Sequence, residues 1–420
     1  MSVNPIHLVC FALLPGLLSG CASFGRGVTE AILDQQTEDT RQCWITGREF
    51  DGLERLYDRV DGSSVGRLKV LKVHGIGSHT PGYSQRLQNG LIEEFGFTAM
   101  DETVKQIDMV HSGHDGELGT LRIHRYIDPE RSREMLFYEL TWDPIVEQEK
   151  QLLSFDNTAE SSAHRVPFNH TLKTFANATL PDALMYNSRY REPIQLSIGQ
   201  AICWMLSEKW ENLPNGEAVS CAVQQEDYMS KVNTSGLAII SHSLGSRISI
   251  DALQTLVSRI SEHSNFREIS AKSQTTPVYL YMLSNQLPLL QLGQPLPEVH
   301  DQVESYCVAG GERYDERFLK RLQVVAFSDP NDLFSYAVSP EYIHRHVDSR
   351  LCPEVTNVLL QVAPVTSILG LQEVANPQTA HTEYEVDSRV LKMLVSGFGK
   401  THGQDEIRER CEFIEAIPSY

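Results

Sequence analysis

The residues of this chain that could do chemistry begin with Ser243, in the run Ser241-His242-Ser243-Leu244-Gly245. The four residues before it, Leu237-Ala238-Ile239-Ile240, read as a short, wholly apolar strand, and Leu244 to Ile260 reads as a periodic helix. A serine on a sharp strand-to-helix turn presents its hydroxyl as a nucleophile. Strand and helix nearly touch at such a turn, so small residues are required two places before and two places after the nucleophile. Gly245 supplies one. Ser241 stands where a glycine is more usual and is small enough to serve. The N-terminus of the helix would turn backbone N–H groups, Leu244 among them, toward an oxyanion forming beside Ser243.

A serine hydroxyl needs a base, and the base needs a partner that fixes its tautomer. His381 lies in Asn376-Pro377-Gln378-Thr379-Ala380-His381, a loop just before the last periodic helix. His344 and His346 read as surface residues, and His402 falls beyond that helix. The apolar strand Leu322 to Phe327 runs into Ser328-Asp329-Pro330-Asn331-Asp332-Leu333, a strand C-terminus of the kind where catalytic groups gather in open α/β sheets. Asp332 is the preferred acid. Asp329 is the alternative, with capping or loop bracing as its other role. His74-Gly75-Ile76-Gly77 follows the first clear strand, and its glycines let the backbone approach a substrate carbonyl. The N–H of Ile76, or of Gly77, would then pair with that of Leu244 as an oxyanion hole, with His74 bonding within the loop. His111 and His114 form an isolated H-x-x-H with no further ligand at suitable spacing, so no metal is expected.

These groups must be positioned by a mainly parallel sheet covered on both faces, because apolar strands alternate with helical stretches from residue 66 to about 400. Leu68 to Val73, Met135 to Trp142, Leu237 to Ile240, Val278 to Leu283, Leu322 to Phe327 and Val355 to Val362 read as strands, and Tyr384 to Val395 as a closing helix. Asp108 to Ile127 suggests a hairpin. Residues 145–230 read as largely helical, with a helical insertion at about 145–200 that could form a lid. Ile194, Ile198, Ile202 and Leu206 form a stripe at helical spacing, expected to pack on the sheet rather than line an acyl pocket. Residues 21–65 read as a tether and lead-in, and 401–420 as a tail.

With 420 residues and a net charge of −19, the chain can bury a large core and would be repelled by nucleic acid. His7 to Leu18 is mostly apolar, too short to span a bilayer, and fits the h-region of a signal peptide over residues 1–20. Leu18-Ser19-Gly20-Cys21 resembles the lipobox of bacterial lipoproteins, although residues 1–5 carry no Lys or Arg. That resemblance implies lipidation of Cys21 and, with no Asp after it, anchoring in the outer membrane facing the periplasm. In such an oxidising compartment the six remaining cysteines, Cys43, Cys203, Cys221, Cys307, Cys352 and Cys411, could form up to three disulfides. The expectation is that some pair and others are simply buried.

Taken together, His74-Gly75-Ile76-Gly77, Trp142-Asp143-Pro144, the Ser243 turn, Asp332 and the segment from His381 to Val390 resemble the α/β-hydrolase superfamily. Its lipase- and esterase-like members among bacterial lipoproteins are the most similar. The resemblance covers most of residues 68–397. It implies the α/β-hydrolase fold, with hydrolysis of a carboxylic ester, lipid esters included, through an acyl-enzyme and no cofactor. Two rivals use the same residues: a non-catalytic binding protein of the envelope, and an acyltransferase. The superfold hosts many chemistries and does not itself choose among them.

Overall fold

The computed structural model describes residues 43–414, apart from 60–65, 115, 131, 208, 222–234, 263–265, 267–269, 272, 369–371 and 400–402. Cys21 and the segment read as a signal peptide lie outside the described residues, as does His402. The chain divides into two units, 1–41 and 42–420, and all that follows concerns the second.

The described residues form fifteen strands: β1 (Cys43–Thr46), β2 (Phe50–Asp51), β3 (Gly66–Val73), β4 (Thr98–Met109), β5 (Thr120–Ile127), β6 (Arg133–Thr141), β7 (Glu217–Val219), β8 (Gly236–His242), β9 (Pro277–Leu283), β10 (Arg321–Ser328), β11 (Pro353–Leu360), β12 (Val365–Ile368), β13 (Gln372–Ala375), β14 (Gly397–Phe398) and β15 (Cys411–Ile414). Eleven of them form one sheet in the order β15-β1-β11-β10-β9-β8-β3-β6-β5-β4-β7. The run from β11 through β10, β9, β8 and β3 to β6 is parallel. The hairpin β4–β5 continues it antiparallel on one side, and β1 does so on the other.

Why the central strands are apolar on both faces is plain from the layers that cover them. Leu71, Val73, Ile239, Leu280, Met282, Val324 and Ala326 belong to one buried cluster, with the helices Arg191–Ser207 and Leu244–Ser261. Their strand neighbours Val70, Ala238, Ile240, Tyr281, Val325 and Phe327 belong to the other, with the helices Gln85–Phe95 and Ser388–Ser396. Side chains alternate with period two, so each strand feeds both cores. The stripe Ile194, Ile198, Ile202 and Leu206 is buried in the first cluster and packs on the sheet.

The structure departs from the sequence reading at both ends of the domain. Residues 43–59, expected in the lead-in, form β1, β2 and a 3-10 turn, so the sheet begins before residue 66. Residues 405–414, expected in the tail, form the helix Asp405–Arg410 and β15, which pairs with β1. The helical stretch ends at Ser207, and β7 follows it at the far sheet edge. All six cysteines pair, as Cys43–Cys411, Cys203–Cys221 and Cys307–Cys352, rather than only some of them. The first of these joins the paired strands β1 and β15 across 368 residues, which explains why their segments read as peripheral in the sequence.

Candidate active site

Because β3, β6, β8, β9 and β10 run parallel and in register, the loops that follow them open at one edge of the sheet. All the candidate residues stand there. Ser243 follows β8 directly and has φ 54 and ψ −124, outside the regions an L residue ordinarily occupies. The strain is held by packing. Its N–H donates to the Leu283 carbonyl at 2.9 Å, and its own carbonyl accepts from Ser246 N at 3.0 Å. A Cβ on Gly245 would lie 2.5 Å from the Val73 carbonyl oxygen and 2.7 Å from that of His74. Nothing larger than glycine fits between the helix start and the end of β3. Ser241 is fully buried, its hydroxyl 3.3 Å from the Tyr281 carbonyl and 3.4 Å from Ser246 Oγ.

His381 lies in the last turn of a short helix, Pro377–Thr382, rather than in a loop; Asn376 caps it by accepting from Gln378 N and Thr379 N. His381 Nδ1 is 3.0 Å from Asp332 Oδ1 and 3.1 Å from Oδ2. Burial alone would raise the Asp332 carboxyl. The hydrogen bond and charge of His381, the Ser284 hydroxyl and the Phe334 N–H outweigh it and hold the group below the usual carboxylate range. A carboxylate that accepts Nδ1–H leaves the Nε2 lone pair of His381 free to act as a base.

The two aspartates divide as follows. Asp329 turns away from His381 and is filled by backbone and amide donors: Asn331 N at 2.8 Å, Asn331 Nδ2 at 3.1 Å, Val362 N at 2.7 Å and Ala363 N at 3.0 Å. It braces the loop, and Asp332 is the carboxylate that meets the histidine. Tyr384 ties the pair together, since its hydroxyl accepts from Asp329 N at 2.6 Å and lies 3.5 Å from Asp332 Oδ2.

His242, inside the Ser243 turn, donates from Nε2 to the His381 carbonyl at 2.8 Å, so the turn and His381 are locked together. Burial first, and then Lys72, push the His242 pKa well down, which keeps the ring neutral. Lys72, fully buried on β3, pairs with Glu385 at 2.5 Å. The Ser243 hydroxyl is buried and has no hydrogen-bond partner among the described residues.

The loop after β3 passes close against the serine: a Cβ on Gly75 would lie 3.1 Å from Ser243 Oγ. His74 is a structural residue. Its Nδ1 is 2.9 Å from the Gly75 carbonyl, its Nε2 accepts from Trp142 N at 3.1 Å, and its ring stacks on Trp142. Of the two donors expected in this loop, Gly77 is already engaged, its N–H donating to Asp182 Oδ2 at 2.6 Å. Gly77 N–H is therefore not free to receive a ligand oxygen, which leaves Ile76 of the two expected donors. Among the described residues, neither Ile76 N–H nor Leu244 N–H has a protein partner.

His74, His79 and Asp143 bring three potential metal ligands within 4.8 Å of one another. The His74 and His79 rings, however, stack at 4.1 Å and 26°. Their in-plane lone pairs therefore run side by side and do not converge on one point, and both His74 nitrogens are occupied. His111 and His114 face each other across an isolated bridge, and no third ligand joins them among the described residues.

Sequence reasoning missed Ser284 and Asp182. Ser284 directly follows β9 and donates to Asp332 Oδ2 at 2.6 Å, with its oxygen 2.8 Å from His381 Nδ1. The rule that strand C-termini carry the site would have pointed to it. Asp182 sits inside the helix Pro167–Tyr186, where no local pattern marks it. No protein-family model, curated protein or solved structure matches this chain.

Proposed function

We propose that this chain is a serine hydrolase of the α/β-hydrolase type that cleaves carboxylic esters through an acyl-enzyme. Ser243 is the nucleophile, His381 the base and Asp332 the acid. The observation that carries the reading is the Asp332–His381 pair held, through the His242 hydrogen bond, against a strained serine turn. The order Ser, Asp, His along the chain agrees with that fold. In the reaction His381 Nε2 takes the Ser243 proton as Oγ attacks the ester carbonyl. Ile76 N–H and Leu244 N–H receive the oxyanion. The proton then passes to the leaving alcohol, and water repeats the sequence to release the acid.

Several features support an apolar ester at a membrane. The insertion exposes Phe155 at 65% and Leu184 at 72%, and Leu333, beside Asp332, is exposed at 67%. The lipobox-like Leu18 to Cys21 would tether the chain in the envelope, and three disulfides suit an oxidising compartment. No helix among the described residues is long and apolar enough to cross a membrane.

The test is turnover of p-nitrophenyl esters of increasing chain length by the wild type and by Ser243→Ala. The variant should lose about four to six orders of magnitude. Equal turnover by the two proteins would overturn the assignment, and a chain-length optimum would separate esterase from lipase.

A further inference from the structure

A buried acid lies against the oxyanion loop and takes no part in the triad. Asp182, fully buried, accepts the Gly77 N–H at 2.6 Å. Lys150, also buried, places Nζ 3.1 Å from Asp182 Oδ1 and 3.6 Å from Glu147. Both residues come from the insertion: Lys150 from the helix Pro144–Lys150, Asp182 from Pro167–Tyr186. A buried ion pair is a poor source of stability, because desolvation offsets most of its Coulomb attraction.

Its placement suggests another use. Gly77 has φ +101 and open space around it, with no Cβ contact closer than 3.8 Å, so sterics at Gly77 do not fix the Ile76–Gly77 peptide. The hydrogen bond to Asp182 holds that peptide by its N–H. The Ile76 N–H belongs to the preceding peptide, whose Gly75 carbonyl is held by His74 Nδ1 at 2.9 Å, so Asp182 fixes the far side of Ile76 as His74 fixes the near side. An uncompensated carboxylate here would oppose a negative charge forming at Ser243. Lys150 removes that opposition.

Resting on the serine hydrolase reading, we propose that Asp182, neutralised by Lys150, is a positioning residue that acts through Gly77 to aim the Ile76 N–H at the oxyanion. The insertion is then a fixed strut of the catalytic apparatus at this point. Catalysis does not require its removal from the loop.

The experiment measures the rate of Ser243-dependent labelling of the full chain by a fluorophosphonate, and kcat and KM for p-nitrophenyl butyrate. Asp182→Ala should slow labelling and lower kcat by about 10- to 100-fold, with KM within about twofold, since one oxyanion donor is misaimed. Asp182→Asn keeps an acceptor oxygen and should restore the rate to within about fivefold of wild type. Glu149→Gln, which removes an exposed ion pair from the same insertion, should change neither quantity. If Asp182→Ala does not fold, Lys150→Met takes its place, with at least about a tenfold loss expected from the uncompensated charge. Wild-type labelling that depends on Ser243, with Asp182→Ala or Lys150→Met within about twofold of it, overturns the role of Asp182 alone. Absence of Ser243-dependent labelling in the wild type overturns the hydrolase reading, and this inference with it.

Discussion

Gly75→Ala tests the site through geometry alone, because it adds one methyl group and no charge. The new Cβ would lie 2.5 Å from Ser243 Cβ and 2.7 Å from the His242 carbonyl oxygen. Non-bonded carbon atoms prefer about 3.5–4.0 Å, so the loop and the Ser243 turn must separate by about 1 Å. Neither side yields easily. The contacts are backbone or Cβ atoms, and the turn is locked by the Ser243 and His242 hydrogen bonds. Overpacking of this kind costs about 1–3 kcal/mol of stability. Its effect on rate should be larger, since a 1 Å misplacement can cost about 10²-fold. The expected outcome is a folded protein, by circular dichroism and urea titration, whose kcat on p-nitrophenyl butyrate falls about 10²-fold. Gly77→Ala is the contrast. Its Cβ meets only His79 Cε1, at 3.8 Å, so its cost is left-handed backbone strain of about 1 kcal/mol, with a smaller loss of rate. A folded Gly75→Ala protein with kcat within about twofold of wild type would refute the claim that the loop after β3 abuts the serine proposed to react.

Four further perturbations have outcomes set by contacts within the same domain. Ser284→Ala removes a donor from the buried Asp332 carboxylate and should lower kcat about tenfold, the rate equivalent of a charge-assisted hydrogen bond near 1.4 kcal/mol. The Asp332 pKa is depressed in the folded state, so its contribution to stability is present above the unfolded carboxylate pKa. That contribution is lost as pH falls through the folded value. Weakening the depression should therefore start acid unfolding of Ser284→Ala at a higher pH, and coincident acid transitions in the two proteins would contradict this. Asp332→Asn should lower kcat by about 10⁴ with little loss of stability, as expected when the base takes the wrong tautomer. Asp329→Ala should do the reverse, leaving four donors unmet and costing about 3 kcal/mol or more in urea unfolding; a swap of the two phenotypes would exchange their roles. Replacing Cys203 and Cys221 together by Ser opens a short loop and should cost about 3 kcal/mol, read as a shift of the urea midpoint at constant slope.

Ser243 was legible in the sequence because its setting is local. A short apolar strand, small residues two places to each side and a periodic helix are all written within about twenty-five residues, and the strand C-termini that carry Asp332 and Gly75 are marked the same way. Asp332 was preferred there with Asp329 left as the alternative, since both stand in one loop and it is the approach of His381 from 49 residues away that distinguishes them. The edges of the domain were misread for a related reason. β1 and β15 are four residues each, too short to show a pattern of their own, and what makes them strands is their pairing with each other and with β11.

The sequence by itself determined the parallel α/β architecture and the serine turn, because alternation of apolar residues and the demand for small side chains act over neighbouring positions. Tertiary structure alone decided which aspartate meets His381, that Ser284 joins them, and that Gly77 gives its N–H to an aspartate 105 residues away. It also decided which cysteines pair. Each of these is a contact between segments whose own patterns do not refer to one another. Only the packing of the helices and the register of the sheet bring such segments within hydrogen-bonding distance.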